Sequence, residues 1–447
     1  MRRLLLLVVV PGLAIALGAC ERPFVDVARP DARVVAPDLS EVQTEDTIVL
    51  EVEASSFRTI DRVEVNGTPM AFAGTENRWM AEVALLRGLN RLVLTTHDTG
   101  GTVAMDTTWA VYLPFRFAPT GPSLPEPRGG HTLTFLPDGT LLAAGGAPDV
   151  RAEARRDAFI LPPGGRAFSM IPAPMLAART GHTATPLPDG RVLFVGGSST
   201  EDLAAVRDLV ETVEVFDPAT QRFEVLPVVG QPIRRAYHTA LLRTAGDALL
   251  LDLFGGRGDI RYEPTPRLGT RDDLRTFQVF PDSLVALNSL RSAPFLPAAL
   301  WGHTLSSLAF FGPDLQGQYL VEGTFFDAGV VDSVGYVVDY SRPPELFFRG
   351  APALPSPRIR HAAVPVADLL GFFGGYQGTP TSALARTEFY SPVARRFFRL
   401  PQPERSIKRF GHAATNLSAQ RILLVGGFAP DGTAFTAAEL FETGTMN

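Results

Sequence analysis

Arg179-Thr-Gly-His182, followed at Gly196-Gly197 by a glycine pair, is the stretch that decides how this chain is read. Between the two ends lie a polar turn, Pro188-Asp189-Gly190-Arg191, and an apolar run, Val192-Leu193-Phe194-Val195. Arg409-Phe-Gly-His412 with Gly426-Gly427 repeats the line, and further copies begin at His131, His238, His303 and His361. Six of the seven histidines thus hold one position, spaced 51, 56, 65, 58 and 51 residues apart. After a variable loop comes an acid two residues before an aromatic: Asp157 with Phe159, Glu214 with Phe216, Glu388 with Tyr390, and Glu439 with Phe441. Short apolar runs bounded by glycine turns predict short strands that recur with a period near ~50 residues. Two copies depart from the pattern. In the fourth, Leu300 replaces the arginine, Glu322-Gly323 the glycine pair and Val338 the acid; in the third, Gln278 stands at the acid position.

Six lines in register resemble kelch repeats, including those of galactose oxidase-like proteins, over about three quarters of the chain. The resemblance implies an all-β fold, with a six-bladed kelch-type β-propeller over residues 114–447. The last repeat stops after its third strand. Phe115-Arg-Phe-Ala-Pro119 is similar to the fourth strand of the second repeat, Arg222 to Pro227. A strand at about 113–118 is therefore expected to complete the final blade, which would remove an exposed sheet edge.

Residues 34–113 read as six or seven short strands, with Asn66-Gly67 as a hairpin turn and Trp79 in the next strand. They resemble a bacterial immunoglobulin-like domain, a small β-sandwich. His97, before Asp98-Thr-Gly-Gly101, is expected in a solvated turn.

The N-terminus has Arg2 and Arg3 ahead of an apolar run, Leu4 to Leu17, too short to span a bilayer comfortably. It ends in Leu17-Gly18-Ala19-Cys20, which resembles the lipobox of bacterial lipoproteins. That implies a signal peptide over 1–19, lipid on Cys20 as the membrane anchor, and a tether over 20–33. In that family aspartate after the cysteine favours the inner membrane; Glu21 stands here and points to the outer membrane of a bacterial cell envelope.

Cys20 is the sole cysteine, so an intrachain disulfide, a cysteine-built metal site and a cysteine nucleophile in the folded body are excluded. It also excludes the tyrosine–cysteine crosslink of copper-dependent galactose oxidase-like enzymes. The net charge of −6 over 447 residues argues against nucleic acid as a partner. No nucleotide-binding glycine loop, Gly-x-Ser-x-Gly elbow or His-Glu-x-x-His occurs, and no cofactor, metal or catalytic residue is assigned.

The six histidines each occupy the same place in their own repeat, so they are expected to make structural hydrogen bonds rather than converge on a metal. Arg128, Arg179, Arg235, Arg358 and Arg409 have two readings: each pairs with its repeat's own acid, or each contacts a ligand on the face from which the loops emerge. The loops after the glycine pairs vary most. The longest, 257–275, carries Arg257, Arg261 and Arg271, which join the candidate ligand-binding residues. Two functions follow: a non-catalytic, lipid-anchored scaffold binding a protein or glycan on the loop face, or a carbohydrate-active enzyme, of epimerase or hydrolase type, at the mouth of the channel.

Overall fold

The computed structural model describes residues 29–74, 77–260, 267–288, 294–327, 330–341, 346–402 and 406–444. The signal segment, Cys20 and Arg261 lie outside the described residues. The fold is all-β. Among the described residues the helical elements are four single 3-10 turns of three residues each.

The chain divides into two compact units. Of the described residues, the smaller comprises 29–37, 49–82 and 92–108. Its strands belong to two sheets. One orders Asp31–Ala36, Thr47–Ser55, Arg78–Ala84 and Ala71–Phe72; the other orders Val42–Gln43, Val103–Tyr112, Gly88–Asp98, Ile60–Val65 and Thr68–Pro69. Alternate residues are buried, as in Ile48, Leu50, Val52 and Ala54, because successive side chains point to opposite faces. The first strand begins at Asp31, inside the segment expected to be tether. His97 also departs from expectation. It lies within the strand Gly88–Asp98, and its Nε2 is 3.3 Å from Arg62 Nη2 and 4.0 Å from Glu64.

The larger unit contains six antiparallel four-strand sets, one per repeat. Sheet I is Thr132–Phe135, Leu141–Ala144, Ala158–Leu161 and Ser169–Met170. Sheet II is Thr183–Pro186, Val192–Val195, Val213–Asp217 and Arg222–Leu226. Sheet III is Thr239–Ala245, Ala248–Phe254, Leu274–Val279 and Leu284–Ala286, with Val228–Val229 added in parallel. Sheet IV is Thr304–Ser307, Gln318–Asp327, Val330–Asp339 and Phe347–Gly350. Sheet V is Ala362–Val366, Leu369–Phe373, Thr387–Ser391 and Arg396–Arg399. Sheet VI is Ala413–Ser418, Arg421–Val425, Ala438–Thr443 and, from the other end of the chain, Phe115–Ala118.

The sequence explains the second strands directly. Val192–Val195 is apolar without alternation because both its faces are covered. Leu193 and Val195 pack with Leu251, Leu253 and Phe277 of sheet III. Val192 and Phe194 pack with Leu142 and Ala144 of sheet I. Equivalent clusters join III to IV, IV to V, V to VI and VI to I. The turn between first and second strands closes on an aspartate: Arg191 donates its N–H to Asp189 Oδ1 at 3.0 Å, and Thr140 donates to Asp138 at 2.9 Å.

First strands of neighbouring sheets touch in cyclic order, VI touching I. The residues just before the six histidines are linked more tightly still. Gly181 donates its N–H to Gly130 O, Tyr237 to Gly181 O, Gly302 to Tyr237 O, Arg360 to Gly302 O, Gly411 to Arg360 O, and Gly130 to Gly411 O, at 2.6–3.0 Å. The six bonds form a cycle. All six residues have φ between 56° and 69°, a left-handed conformation natural only to glycine. Tyr237 and Arg360 adopt it at a cost of roughly 1–2 kcal/mol each.

Phe115–Ala118 pairs antiparallel with Ala438–Thr443, Phe117 opposite Phe441. Phe441 is fully buried, its ring 5.1 Å from Phe117, 5.3 Å from Phe373 and 5.8 Å from Phe115. Truncation there removes the contact shared by the start and end of this unit. Phe441→Ala should lower unfolding stability by about 3–5 kcal/mol, measured by denaturant titration. A loss below about 1 kcal/mol would show that the terminal strands contribute little.

Candidate functional site

The repeated arginines are interior. Arg128, Arg179, Arg235, Arg358 and Arg409 are at most 2% exposed. Each donates from Nη1 to the carbonyl of the first glycine of its pair: Gly145, Gly196, Gly255, Gly374 and Gly426, at 2.9–3.0 Å. Each also meets an acid. Arg128 lies 2.6 Å from Asp157, Arg235 2.9 Å from Asp273, Arg358 2.8 Å from Glu388 and Arg409 3.6 Å from Glu439, while Arg179 pairs with Glu214. The guanidinium therefore locks the turn to its own sheet.

Strand register corrects the acid assignments. Glu214, Glu388 and Glu439 lie opposite Phe194, Phe372 and Leu424. The equivalent residue in sheet I is Phe159 and in sheet III Arg275. There an aspartate two residues earlier, Asp157 or Asp273, takes the arginine instead. Gln278 lies further along, opposite Leu250. Although burial raises its pKa, Arg235 and Arg271 hold Asp273 down at about 2.

Sheet IV has neither partner. Leu300 packs in the core, and Tyr336, not Val338, lies opposite Val321 at the acid position. Glu322 faces Thr304 where Val195 faces Thr183 in sheet II, so Gly323-Thr324 occupy the glycine-pair positions. In the other five sheets the second glycine N–H bonds the next repeat's carbonyl, as Gly197 to Arg235 O at 2.9 Å. In sheet IV the Thr324 hydroxyl makes that link, to Arg358 O at 2.9 Å. Glu322 is fully buried, accepts an N–H from Leu354 at 3.2 Å, and has its pKa pushed well up by burial.

The six histidines and the six residues of the hydrogen-bond cycle line one cavity of about 150 Å³. His182, His238, His303 and His361 bond through Nε2 to Thr132, Thr183, Thr239 and Thr304 of the preceding sheet, at 2.9–3.3 Å. In sheets V and VI alanine replaces that threonine. His412, beside Ala362, and His131, beside Ala413, have neither ring nitrogen bonded. Burial pushes all six imidazoles down, His131 and His303 to about 3. Among the described residues no three His, Cys, Asp or Glu side chains are grouped to hold a metal ion.

Arg360 stands at the cavity wall. Its Nη1 lies 2.5 Å from Glu201 Oε1, and Glu201 also accepts from the Thr180 hydroxyl. Tyr237 donates its hydroxyl to Glu201 O at 2.7 Å. Burial pushes the Glu201 carboxyl up, against the pull of Arg360. The guanidinium lies 4.9–5.4 Å from the rings of Tyr237, Phe410 and Phe428. Trp301 packs on Tyr237 at 5.7 Å, and Arg257 sits 5.6 Å from the Trp301 ring centre. Tyr376 packs on Phe410. None of Arg360, Glu201, Tyr237 and Trp301 was singled out by the repeat pattern. The signal for two of them was available: Arg360 and Tyr237 stand where the other four copies have glycine.

Within the long loop, Arg257–Asp259 forms a ribbon with Arg235–Ala236 and Leu268–Thr270. Arg257 is half-buried; Arg271 is buried and bidentate to Asp273, at 2.6 and 2.8 Å. A separate groove of about 1000 Å³ includes Arg243, Thr276, Tyr319 and Tyr340. Behind it Asp252, fully buried, accepts from Arg243, Tyr340 and Thr276, each at 2.6 Å. No family model matches the chain, and no curated protein is significantly similar to it.

Two measurements follow. Arg179→Ala leaves Glu214 buried without its cation and should cost about 3–5 kcal/mol of stability in urea; an unchanged midpoint would free the arginine for a role outside the fold. The histidines set the acid response. A buried imidazole with lowered pKa stabilises the fold fully above its unfolded value near ~6.5, and that stability is lost as pH falls towards its folded value. Between pH 7 and pH 5, His131 and His303 should each withdraw about 2 kcal/mol. Equal urea midpoints at the two pH values would show that the imidazoles titrate normally.

Proposed function

We propose that the larger unit is a six-bladed kelch-type β-propeller, and that the protein is a lipid-anchored envelope lipoprotein whose loop face binds a protein or glycan without chemistry of its own. The observation that carries the propeller reading is the cycle of six hydrogen bonds, each joining one repeat to the next and the last to the first. The binding role draws on what is left for a ligand to touch. The repeated arginines and acids are consumed within the sheets. Chemical variety lies in the loops after the glycine pairs and in the segments that enter the first strands, where half-buried Arg257 of a loop and half-buried Trp301 of the entry to sheet IV combine a cation with an aromatic face. Such a surface suits a sugar ring or a flat or acidic protein side chain. The lipid anchor rests on Leu17-Gly18-Ala19-Cys20 and the apolar run before it, and the outer-membrane assignment on Glu21.

One observation favours the carbohydrate-active enzyme: a carboxyl with raised pKa, Glu201, close to the histidine-lined cavity. Against it, both Glu201 oxygens already face partners, Arg360 and Thr180, and its side chain is 1% exposed.

The test is recovery of envelope proteins and glycans on the immobilised chain, comparing wild type with Trp301→Ala/Arg257→Ala. The double variant should lose at least tenfold of whatever wild type retains. Equal recovery would remove this surface, and turnover on a galactoside or sialoside panel that is abolished by Glu201→Gln would establish the enzyme instead. Wild type should incorporate labelled palmitate, and Cys20→Ser should not.

A further inference from the structure

Sheet III breaks a rule that the other five sheets keep. On the face turned to the next sheet, each has a second-strand residue three places before the first glycine-pair position, the third-strand residue opposite it, and a first-strand residue two places beyond its other partner. In sheet II these are Leu193, Val215 and Leu187, all in the apolar cluster shared with sheet III. Sheets I, IV, V and VI fill the same three places with leucine, isoleucine, valine, phenylalanine or, once, glycine. Sheet III has Asp252, Thr276 and Arg243 there. A buried ion pair is seldom more stabilising than well-packed apolar side chains in its place. Five sheets of the same chain show that apolar side chains fit, so packing alone does not explain the exception.

The three residues form one network with sheet IV. Asp252 is fully buried and accepts from Arg243 Nε, from the Thr276 hydroxyl and from the hydroxyl of Tyr340, which follows the third strand of sheet IV, each at 2.6 Å. The Arg243 guanidinium lies 4.5 Å from the centre of the Tyr340 ring, and Tyr319 stands edge-on to Tyr340 at 6.1 Å. Apolar contact between the two sheets is made nearer the glycine pair, by Phe254, Leu274 and Val321. Beyond it lies the groove of about 1000 Å³, whose wall includes Arg243, Thr276, Tyr319 and Tyr340. All four are only half-buried, so a ligand in the groove can touch them.

The chemistry of the wall selects its ligand. Arg243 and Asp252 carry no net charge together, so an ion would meet one partner of the wrong sign. An apolar ligand would strip water from the guanidinium and the hydroxyls and return no hydrogen bond. A neutral polyhydroxylated ring answers both: its hydroxyls donate and accept, and its C–H face lies against tyrosine. We propose that this groove binds a neutral saccharide, its hydroxyls held by Arg243 and Thr276 and its ring carbons by Tyr319 and Tyr340. Asp252 does not touch the ligand; it fixes the three side chains around it. The groove includes Pro188, Gly246 and Gly317, from turns between first and second strands. The Trp301–Arg257 surface belongs to the other end of those strands, so the groove is a second site and does not depend on what the loop face binds.

The probe is an array of neutral and acidic oligosaccharides, followed by calorimetric titration of the best neutral binder into the purified chain. Arg243→Leu/Asp252→Leu/Thr276→Val/Tyr340→Phe gives sheet III the residues of sheet II and removes the hydroxyl left without an acceptor. It should unfold at a urea concentration no lower than wild type. Tyr319→Ala leaves the network intact and removes only the ring beside it. Wild type should bind a neutral saccharide saturably, each of these variants should weaken that binding at least tenfold, and Trp301→Ala/Arg257→Ala should leave it unchanged. An array that retains no neutral saccharide would overturn the proposal, as would equal affinities of wild type and Tyr319→Ala. Binding lost only in Trp301→Ala/Arg257→Ala would also overturn it and place the glycan on the loop face. The Tyr319→Ala comparison decides the matter even if the fourfold variant fails to fold.

Discussion

Six backbone hydrogen bonds between residues in left-handed conformation hold the larger unit in register. Each bond links the residue before one histidine to its counterpart in the next repeat, so a change in spacing at one copy must be absorbed before the neighbouring copy. The variable spacing between histidines, from 51 to 65 residues, is accommodated outside the cycle, in loops and in the length of strand pairs. Sheet IV shows the limit of that tolerance. It loses the arginine, the acid and the glycine pair, yet Gly302 still donates to Tyr237 and accepts from Arg360. The cycle is kept where the rest of the motif is not.

A second layer of bonding fastens each sheet to itself. The arginine reaches the first glycine carbonyl and an acid together, which couples the entry to the first strand with the end of the second. Two routes reach the same geometry, a glutamate within the third strand or an aspartate two residues upstream. The shorter side chain at the earlier position and the longer one at the later position place a carboxylate beside the same guanidinium. This frees the in-strand position in sheets I and III, where Phe159 and Arg275 stand.

The repeat itself was plain in the residues, because a single histidine position marks all six copies and a glycine pair marks five of them. So was the match between Phe115–Ala118 and the missing strand, since the apolar–charged–apolar order Phe115-Arg-Phe117 copies Phe223-Glu-Val225. What escaped was register. Glu322-Gly323 looks like a damaged glycine pair, and only strand pairing shows that the motif has moved by one residue to Gly323-Thr324. Gln278 was placed by distance from an aromatic, whereas the arginine seeks a carboxylate wherever one falls within reach, and Asp273 does. Arg360 and Glu201 escaped for a different reason. Each occurs once, and a reading built on recurrence gives weight to what recurs. Their importance comes from a contact between repeats, Arg360 before sheet V and Glu201 in the loop after the second strand of sheet II, which spacing along one copy does not encode.

The pairing of Phe117 with Phe441 has a consequence for how the chain reaches its final form. During synthesis the segment 115–118 emerges early and carries a row of unpaired amide and carbonyl groups until the strand 438–443 arrives. Such long-range closure is entropically slow, and the chain spends that interval with an adhesive edge exposed. The sheets that cover Phe115 and Phe117 are V and VI, the last to be made, so this edge stays open until nearly the whole chain has been synthesised.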